Sequence, residues 1–256
     1  MQRHVFHNTP LQIKLLGTKL DNLTLTDVLQ RVEDFITEKK TAYIVTPNVD
    51  HIIRLRKDPE FREIYEHADL VLTDGAIIPW AACFLGAPLK ENISGVDLFP
   101  RLCEIASQRG WRLFFLGGRE GAADKAAQVL RNKYQGLDIV GTYCPPLGFE
   151  KDNAENINIV RMIKAAKPDI IFVGLGAPKQ EKWIYRYRSQ YQVPVSIGIG
   201  VSFEFISGIV KRAPLWMRKA GLEWFWRLMM EPRRLWKRYL VDDMQFFWLV
   251  LKQKMG

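Results

Sequence analysis

The chain has 256 residues, 48% of them hydrophobic, which is enough for one large domain with a full core or for a domain with an appendage. Three cysteines without CxxC spacing and four scattered histidines argue against a disulfide framework or a structural zinc site, and they favour a reducing cytoplasm. MQRHVFHNTP at the N-terminus lacks a signal-peptide core, and no stretch approaches the roughly 20 apolar residues of a spanning helix, so we expect a chain that does not cross a membrane.

Apolar runs of strand length alternate with longer helical patterns up to residue 200. The strand candidates are IKLLG (13–17), AYIVT (42–46), DLVLT (69–73), WRLFFLG (111–117), LDIVG (137–141), DIIFVG (169–174) and VSIGIG (195–200). Helical patterns lie at about 24–39, 49–67, 77–86, 96–109, 120–134, 152–166 and 179–190. Strands that are apolar on both faces and separated by helices predict a doubly wound α/β fold, in which a parallel sheet is covered on both sides.

The pattern changes after Gly200. SFEFISGIVKRAP predicts a turn-rich connection, 214–230 predicts short helices, and one helix is predicted from Pro232 to about Lys252. Residues 211–256 contain eleven Lys and Arg against four Asp and Glu, so they carry +7 of the net charge of +9, and they hold five of the eight tryptophans. This asymmetry predicts a separate task at nucleic acid, an anionic membrane surface or a polyanionic ligand. We therefore divide the chain into an α/β catalytic domain, 1–210, and a helical appendage, 211–256.

The last predicted helix carries an apolar stripe with a basic edge. The stripe consists of Leu235, Trp236, Tyr239, Leu240, Met244, Phe247, Trp248 and Leu251, and the edge of Arg233, Arg234, Lys237 and Arg238. Such a stripe either docks on the α/β core or lies in a membrane interface. Both alternatives hold if the appendage folds back onto the core and one of its ends lies on lipid.

Three glycine-containing turns follow predicted strands. LGGREG (116–121), GLGAPK (174–179) and GIGVSF (198–203) each miss the dinucleotide fingerprint, because Leu116, Lys179 and Phe203 replace one of its glycines. These departures argue against NAD. A single loop of this kind is equally a tight turn that needs glycine, whereas three on one sheet edge favour a nucleotide diphosphate near helix N-termini.

Polar residues follow two of the predicted strands. Asp74 follows the buried DLVLT strand, where partial desolvation raises a carboxyl pKa and suits a general base. Capping the 77–86 helix is the alternative role for Asp74. Thr46 and Asn48 offer neutral hydrogen bonds suited to sugar hydroxyls or an amide.

The chain has no Asp-x-Asp pair, which metal-dependent sugar transferases use to hold a divalent ion against the diphosphate. The nearest approximations are Asn48-Val-Asp50 and a surface pair, Asp242-Asp243. We therefore expect neither a metal nor a cofactor, and we expect appendage arginines or helix N-termini to take the charge of a leaving diphosphate.

From about Ile13 to Tyr239 the chain resembles the WecG/TagA/CpsF family of bacterial glycosyltransferases. The stretches that carry the resemblance appear in family order: TPNVDH, ADLVLTDG, ISGVDLF, FFLGG, PDIIFVGLGAPKQE, GIGVSFEFISG, KRAP and GLEWFWRLMMEPRR. The G-x-PKQE block and the KRAP…GLEW…R…EPRR block are the most specific.

The resemblance implies a Rossmann-like α/β fold and an inverting, metal-independent sugar transfer. The donor would be a UDP-sugar and the acceptor a polyprenyl-diphosphate-linked saccharide, made for an extracellular polysaccharide. The appendage would seat the enzyme peripherally on the cytoplasmic face of the membrane. The implied catalytic residues are Asp74 as base, with Arg227 and Arg234 on the diphosphate. The implied substrate-binding residues are Thr46, Asn48, Gly117, Gly118, Gly176 and Gln180.

Two departures from the family pattern affect specificity. Asn92 stands where members often carry an arginine, which puts one substrate contact in doubt. A PPLGF turn within 142–152 resembles exopolysaccharide-pathway members, so the donor is left open between an N-acetylmannosamine-type sugar and another hexose. The sequence also leaves open whether the chain forms a homo-oligomer.

Two alternatives come from other classes. One is a nucleotide-dependent Rossmann enzyme such as an NAD-linked oxidoreductase, against which the missing glycines count. The other is a noncatalytic nucleic-acid-binding protein that uses the basic, Trp-rich tail. The helical stripe of that tail favours lipid or the core over nucleic acid.

Overall fold

A computed structural model describes residues 11–255, which fold around a six-stranded parallel sheet. The N-terminal stretch in which we expect no signal peptide lies outside these residues. The strands of the chain are β1 (Gln12–Leu15), β2 (Thr18–Asp21), β3 (Ala42–Val45), β4 (Leu70–Val71), β5 (Arg112–Gly117), β6 (Asp138–Tyr143), β7 (Ile170–Gly174) and β8 (Val195–Gly198). The sheet order is β4-β3-β8-β7-β5-β6 and every neighbouring pair is parallel. The predicted Rossmann-like α/β class is confirmed.

Helices cover both faces of the sheet, because its strands are apolar on both sides. In β3, Ala42 and Ile44 face one layer while Tyr43 and Val45 face the other. The first layer contains α1 (Leu25–Thr37), α5 (Gly95–Arg109), α6 (Ala122–Lys133) and α9 (Ser202–Ser207). The second contains α2 (Val49–Leu55), α3 (Pro59–Glu66), α4 (Ile77–Phe84), α7 (Asn153–Ala166) and α8 (Lys179–Tyr191).

The first predicted strand does not join the parallel sheet. Instead, β1 and β2 form a separate antiparallel hairpin. Its two-residue turn is Leu16-Gly17, and both residues have positive φ, as the turns that match strand twist require. Because so short a connection can only link antiparallel neighbours, the expectation of a parallel strand at 13–17 was wrong.

The helix predicted at 49–67 is two helices. Asp58 accepts a hydrogen bond from the Phe61 backbone N–H and so caps α3, and Pro59 occupies the first helical position. This break lets α2 keep its N-terminus at the edge of the sheet, directly after β3.

The three glycine turns lie side by side. Because β5, β7 and β8 are neighbours, Gly117 pairs with Gly174, and Val173 pairs with Gly198. The expectation that these loops share one edge is confirmed. The loops after β3 and β4 form the other half of that edge.

The appendage is a series of short helices that folds back onto the α2 side of the core. It comprises α10 (Leu215–Lys219), α11 (Glu223–Met230), α12 (Pro232–Lys237), a π-helical turn (Arg238–Asp242) and α13 (Met244–Met255). Its most deeply buried residues are Leu235, Phe246 and Val250. Gln253 and Gln245 hydrogen-bond the Leu16 backbone N–H and Lys57, respectively.

The predicted stripe is not the docking face. Apart from Leu235, its members are exposed or only half-buried, including Trp236, Met244 and Trp248. A π-helical turn separates α12 from α13 and adds a residue to one turn, and stripe members on both sides of it, Trp236 and Trp248, are exposed. No helix within residues 11–255 is long and apolar enough to cross a membrane.

Candidate active site

A cavity of about 740 Å³ lies between the β3–β4 half of the sheet edge and the appendage. The core contributes Asn48 and Asp74 to its wall, from the segments that follow β3 and β4, and Asn92 from the loop between α4 and α5. The appendage contributes four arginines, Arg212, Arg218, Arg227 and Arg238. The position is the expected one for a ligand of an open α/β sheet, beyond the carboxyl ends of the strands.

Asp74 is a half-buried carboxylate in this cavity. Its backbone N–H donates to the Pro47 carbonyl at 2.9 Å, which fixes the loop after β4 to the loop after β3. Burial raises the pKa of the Asp74 carboxyl to about 6, against the opposing effect of the Arg227 guanidinium. Asp74 does not cap α4, whose N-cap is Ala76 and which has no side-chain cap. The capping alternative is therefore wrong, and the carboxylate is available to a ligand.

Two of the cavity arginines have a guanidinium nitrogen without a hydrogen-bond partner among the described residues. Arg238 donates from Nη2 to the Asn48 Oδ1 at 3.1 Å and lies 3.8 Å from the Asp50 carboxylate. The Nε atoms of Arg238 and Arg218 are buried and have no hydrogen-bond partner within residues 11–255. Unpartnered guanidinium donors in a wall favour an anionic ligand, because a buried donor without a partner costs free energy.

A second carboxylate with a raised pKa also lines the cavity. Asp243 is buried rather than at the surface as we expected, and its Oδ1 has no partner among the described residues. Burial raises the pKa of Asp243 to about 7, although Arg238 opposes this. Geometry therefore offers two candidate bases, one on the core and one on the appendage.

Arg234 lies outside the cavity wall. Its guanidinium pairs with Glu231, and the other carboxylate oxygen of Glu231 accepts from Arg119 at 2.8 Å. Arg119 directly follows the Gly117-Gly118 turn, so Glu231 connects the appendage to the glycine half of the sheet edge. The role of Arg234 on a diphosphate stays a prediction.

The side chains of Thr46 and Asn48 lie at different distances from the cavity. Asn48 lines the cavity, and its Oδ1 also accepts from the His51 backbone N–H at 3.3 Å as the N-cap of α2. Thr46 is buried behind the wall, and a Cβ at Gly95 would come within 3.2 Å of its Oγ1. Thr46 is thus close to the N-terminus of α5, and its sugar contact stays a prediction.

The polar side chains of the GLGAPKQE segment (174–181) form hydrogen bonds and ion pairs with other groups of the protein. Gln180 is buried, donates to Glu181 at 2.8 Å and accepts from the Gly200 N–H at 3.1 Å. Lys179 pairs with Glu150, next to the PPLGF turn. Gly176, with φ of +74°, precedes α8 and accepts from the Gln180 N–H. The sugar contact of Gln180 and the donor contact of Gly176 stay predictions.

Gly117 and Gly118 pack against the neighbouring loop. A Cβ at Gly117 would lie 2.8 Å from the Gly174 carbonyl oxygen, and the Gly118 N–H donates to that same oxygen at 2.8 Å. The next amide, at Arg119, donates to the buried Glu204 carboxylate at 2.9 Å. These amides serve the close approach of β5 and β7, so their contact with a substrate also stays a prediction.

Asn92 lies in the cavity wall. Its Oδ1 accepts from the Thr73 hydroxyl at 3.1 Å. Within residues 11–255, no group of three or more His, Cys, Asp or Glu side chains is placed to hold a metal ion.

Comparison with known proteins assigns the class. The profile of the family described as "Glycosyl transferase WecG/TagA/CpsF family" matches residues 13–256, nearly the whole chain. The chain belongs to this family. It is therefore a glycosyltransferase, and the oxidoreductase alternative is wrong.

Several relatives of this glycosyltransferase share one name, N-acetylglucosaminyldiphosphoundecaprenol N-acetyl-beta-D-mannosaminyltransferase. The Bacillus spizizenii protein is 34% identical over 217 residues, which cover 84% of this chain and 82% of the relative. The Bacillus subtilis protein is 33% identical over 240 residues, covering 94% and 88%. A Staphylococcus aureus protein is 30% identical over 226 residues, covering 88% and 87%.

Three of the predicted site residues lie together in the cavity wall, and several charged residues of that wall were missed. Asn48, Asp74 and Arg227 line one cavity, as expected of a common site. Arg218, Arg238 and Asp243 were not predicted. The one signal for Arg238 was its place at the basic edge of the stripe. A continuous helical pattern gives no signal for the π-helical turn that places Arg238 and Asp243 against the cavity.

Proposed function

We propose that this glycosyltransferase moves a hexosyl group from a UDP-sugar to a polyprenyl-diphosphate-linked saccharide, with Asp74 as general base. The observation that carries the proposal is the Asp74 carboxyl, with a pKa of about 6, in a cavity whose opposite wall holds several arginines, two of which have an Nε atom without a hydrogen-bond partner among the described residues. A base of this pKa is ionised at neutral pH and close enough to it to accept a hydroxyl proton.

In the proposed step, the acceptor hydroxyl oxygen attacks the anomeric carbon of the donor sugar from the face opposite the diphosphate. The hydroxyl proton passes to the Asp74 carboxylate, and the bond from the anomeric carbon to the diphosphate oxygen breaks. UDP leaves with the bonding electrons, and the configuration at the anomeric carbon inverts. Arg227 and Arg238 face the cavity where negative charge develops on UDP, which is how positioned cations lower such barriers.

We prefer Asp74 to Asp243 as the base because the segment that carries Asp74 is anchored more firmly. The loop that carries Asp74 is bonded to the loop after β3, whereas Asp243 lies beside the π-helical turn of the appendage. A catalytic group on a rigid sheet edge is held more accurately than one on a separate helical segment.

For the substrates, the names of the relatives support N-acetylmannosamine as the sugar and N-acetylglucosaminyl-diphosphoundecaprenol as the acceptor. An exopolysaccharide pathway has no support from these names and rests on the PPLGF turn alone. We propose that the enzyme works at the inner membrane surface, because exposed apolar side chains of the appendage lie among its basic residues. They include Trp216, Phe225, Met229 and Trp236.

Asp74→Asn tests the proposal. With UDP-N-acetylmannosamine and a lipid-diphosphate acceptor, we expect turnover to fall about 10²–10⁴-fold, since general base catalysis contributes about that much. UDP affinity, measured by calorimetry, should change little, because the amide keeps the shape of the carboxyl. Asp138→Asn, an exposed carboxylate on β6, is the matched control and should keep full turnover.

Asp243→Asn decides between the two bases. We expect it to lose much less turnover than Asp74→Asn. If instead Asp243→Asn abolishes transfer and Asp74→Asn retains it, the base is on the appendage and the proposal for Asp74 is wrong. Absence of transfer by the unmodified enzyme to any lipid-diphosphate acceptor, with any UDP-sugar of a panel, contradicts the proposed reaction itself.

A further inference from the structure

The cavity is polar along one side and apolar along another. The arginines and Asp74 form the polar side. At the α4 and α13 end the wall is made by Ile77, Leu240, Met244 and Phe247. This apolar wall is shared between the core and the appendage, as the polar wall is.

Aromatic rings continue the apolar wall onto the protein surface. The Phe247 ring lies 6.0 Å from the Trp80 ring, and Trp80 stacks on Phe84 at 5.6 Å with an angle of 11° between the planes. Trp80 is 52% exposed and Phe84 39%. We call Ile77, Trp80, Phe84 and Phe247 the aromatic strip. It leads from the cavity along α4 to solvent.

An exposed apolar strip that opens into a cationic cavity is complementary to an amphipathic ligand. Apolar surface left in water is unfavourable unless something covers it, and grooves of this kind mark binding sites. The cavity arginines favour an anionic head group, and the rings of the strip favour a hydrocarbon chain attached to it. A nucleotide sugar fits the first requirement, but its single uracil ring is too short to cover a strip that runs from Phe247 past Trp80 to Phe84.

We propose that the aromatic strip binds the first isoprene units of the acceptor's polyprenyl chain, next to the diphosphate. The inference rests on the proposed function and extends it to the lipid. With the diphosphate at the cavity arginines, the saccharide reaches Asp74 and the chain leaves along Phe247 and Trp80. Unsaturated isoprene units suit the faces of aromatic rings, which give a large contact area at little cost in conformational entropy. The strip thus sets the register of the acceptor, because only a chain that starts at the diphosphate fills both sides of the cavity.

The test uses two soluble acceptors that carry the same N-acetylglucosaminyl-diphosphate, one on a farnesyl chain and one on a propyl chain, without vesicles or detergent. We expect the unmodified enzyme to show a KM for the farnesyl acceptor about tenfold or more below that for the propyl acceptor, since each buried methylene adds to affinity. Trp80→Gln and Phe247→Gln should each lose most of this preference by raising the farnesyl KM. The KM and kcat of Trp80→Gln with the propyl acceptor should stay within about twofold, because Trp80 lies outside the cavity wall.

Two further variants separate the strip from the outer surface of the appendage. Trp80→Phe keeps a ring and should retain most of the preference. Trp216→Gln changes an exposed tryptophan on α10 outside the cavity wall and should leave the preference intact. Flotation with vesicles of anionic lipid, run in parallel, should report a loss for Trp216→Gln and little change for Trp80→Gln.

The outcomes distinguish failure of the inference from failure of the proposed function. Transfer to both acceptors with no chain preference, or a preference that Trp80→Gln leaves intact, overturns the inference and leaves the reaction standing. Loss of vesicle flotation in Trp80→Gln with an unchanged chain preference also overturns it, since the strip then contacts the bilayer. If the enzyme transfers to neither acceptor, binding of farnesyl diphosphate measured by calorimetry decides. Weaker binding to Trp80→Gln than to the unmodified enzyme supports the strip, and equal binding overturns it.

Discussion

The two walls of the cavity are built in different ways. The core wall consists of short loops at the ends of parallel strands, and its Asp74 and Asn48 are fixed by backbone hydrogen bonds and by a helix cap. The appendage wall consists of helices no longer than 12 residues, joined by turns and anchored on the core by a few buried side chains such as Leu235 and Phe246. This difference is the reason why we propose the proton-accepting group on the rigid half of the site and the catalytic cations on the half that docks on it.

Arg238 and Arg212 join the two walls. Arg238 bonds to Asn48, and Arg212 bridges Asp97 on α5 and Glu223 on α11, at 2.7 and 3.1 Å. Although burial raises the pKa of Asp50, the Arg238 guanidinium and then Arg54 hold the pKa below its usual value. Docking of the appendage is therefore coupled to the charge of the core wall, and the following variants test how strongly.

The largest effect is expected for Arg227→Ala. Its guanidinium faces Asp74 across the cavity, and loss of one preorganised donor to a developing charge costs about 10²–10³-fold in kcat. Turnover with a saturating donor is the measurement. Arg233→Ala removes an exposed arginine of the same appendage and is the control. Equal losses in both variants would show that net charge matters and position does not.

The next effect is the pH dependence. Because the pKa of Asp74 is about 6 and the base must be ionised, kcat/KM should be level above pH 7 and fall about tenfold per unit below pH 6. A pH-rate profile measures this. Asp74→Asn should lack that limb in its residual activity. A limb that stays in Asp74→Asn and disappears in Asp243→Asn would move the base to the appendage wall.

A smaller effect is expected for Arg238→Ala. The variant removes the bond between the walls and one cavity cation, so we expect kcat/KM for the UDP-sugar to fall about tenfold, through a higher KM and a lower kcat, within the range for a charged hydrogen bond. Initial rates over a range of donor concentrations separate KM from kcat. Arg238→Lys keeps the charge and should recover part of the loss. A pure fall in kcat would instead place Arg238 on the leaving group alone.

The smallest effect is expected for Arg234→Ala and Glu231→Gln. Both residues are outside the cavity wall, and exposed ion pairs contribute about 0–1 kcal/mol. We expect thermal stability to be nearly unchanged and turnover to change less than about tenfold. A loss as large as that of Arg227→Ala would show that Arg234 leaves Glu231 and enters the cavity when substrate binds.

Much of the core wall could be predicted from the sequence, because strand ends are local features. The apolar run before Asp74 places it at the sheet edge, and the same holds for Asn48 after β3. The hairpin at Leu16-Gly17 and the break at Asp58-Pro59 also have local signals, namely a glycine in a two-residue turn and a proline after a capping residue.

The appendage wall could not be predicted to the same degree. Its arginines were recognised as a group, but which of them face the cavity depends on how α11, α12 and the π-helical turn pack, and that is set by tertiary contacts. Asp243 looked like a surface residue beside Asp242, and the fold buries it. A continuous 3.6-residue period placed Trp236, Met244 and Trp248 on one stripe, for which docking on the core and contact with a membrane were the two alternatives, and all three side chains are exposed.

The π-helical turn makes the appendage sensitive to chain length more than to side-chain identity. Removing one residue between 238 and 242 would restore an ordinary helix and rotate everything after it by about 100°. Phe246 and Val250 would then turn toward solvent, and Asp243 and Phe247 would leave the cavity. A one-residue deletion there should thus damage the site more than any conservative substitution of the same five residues.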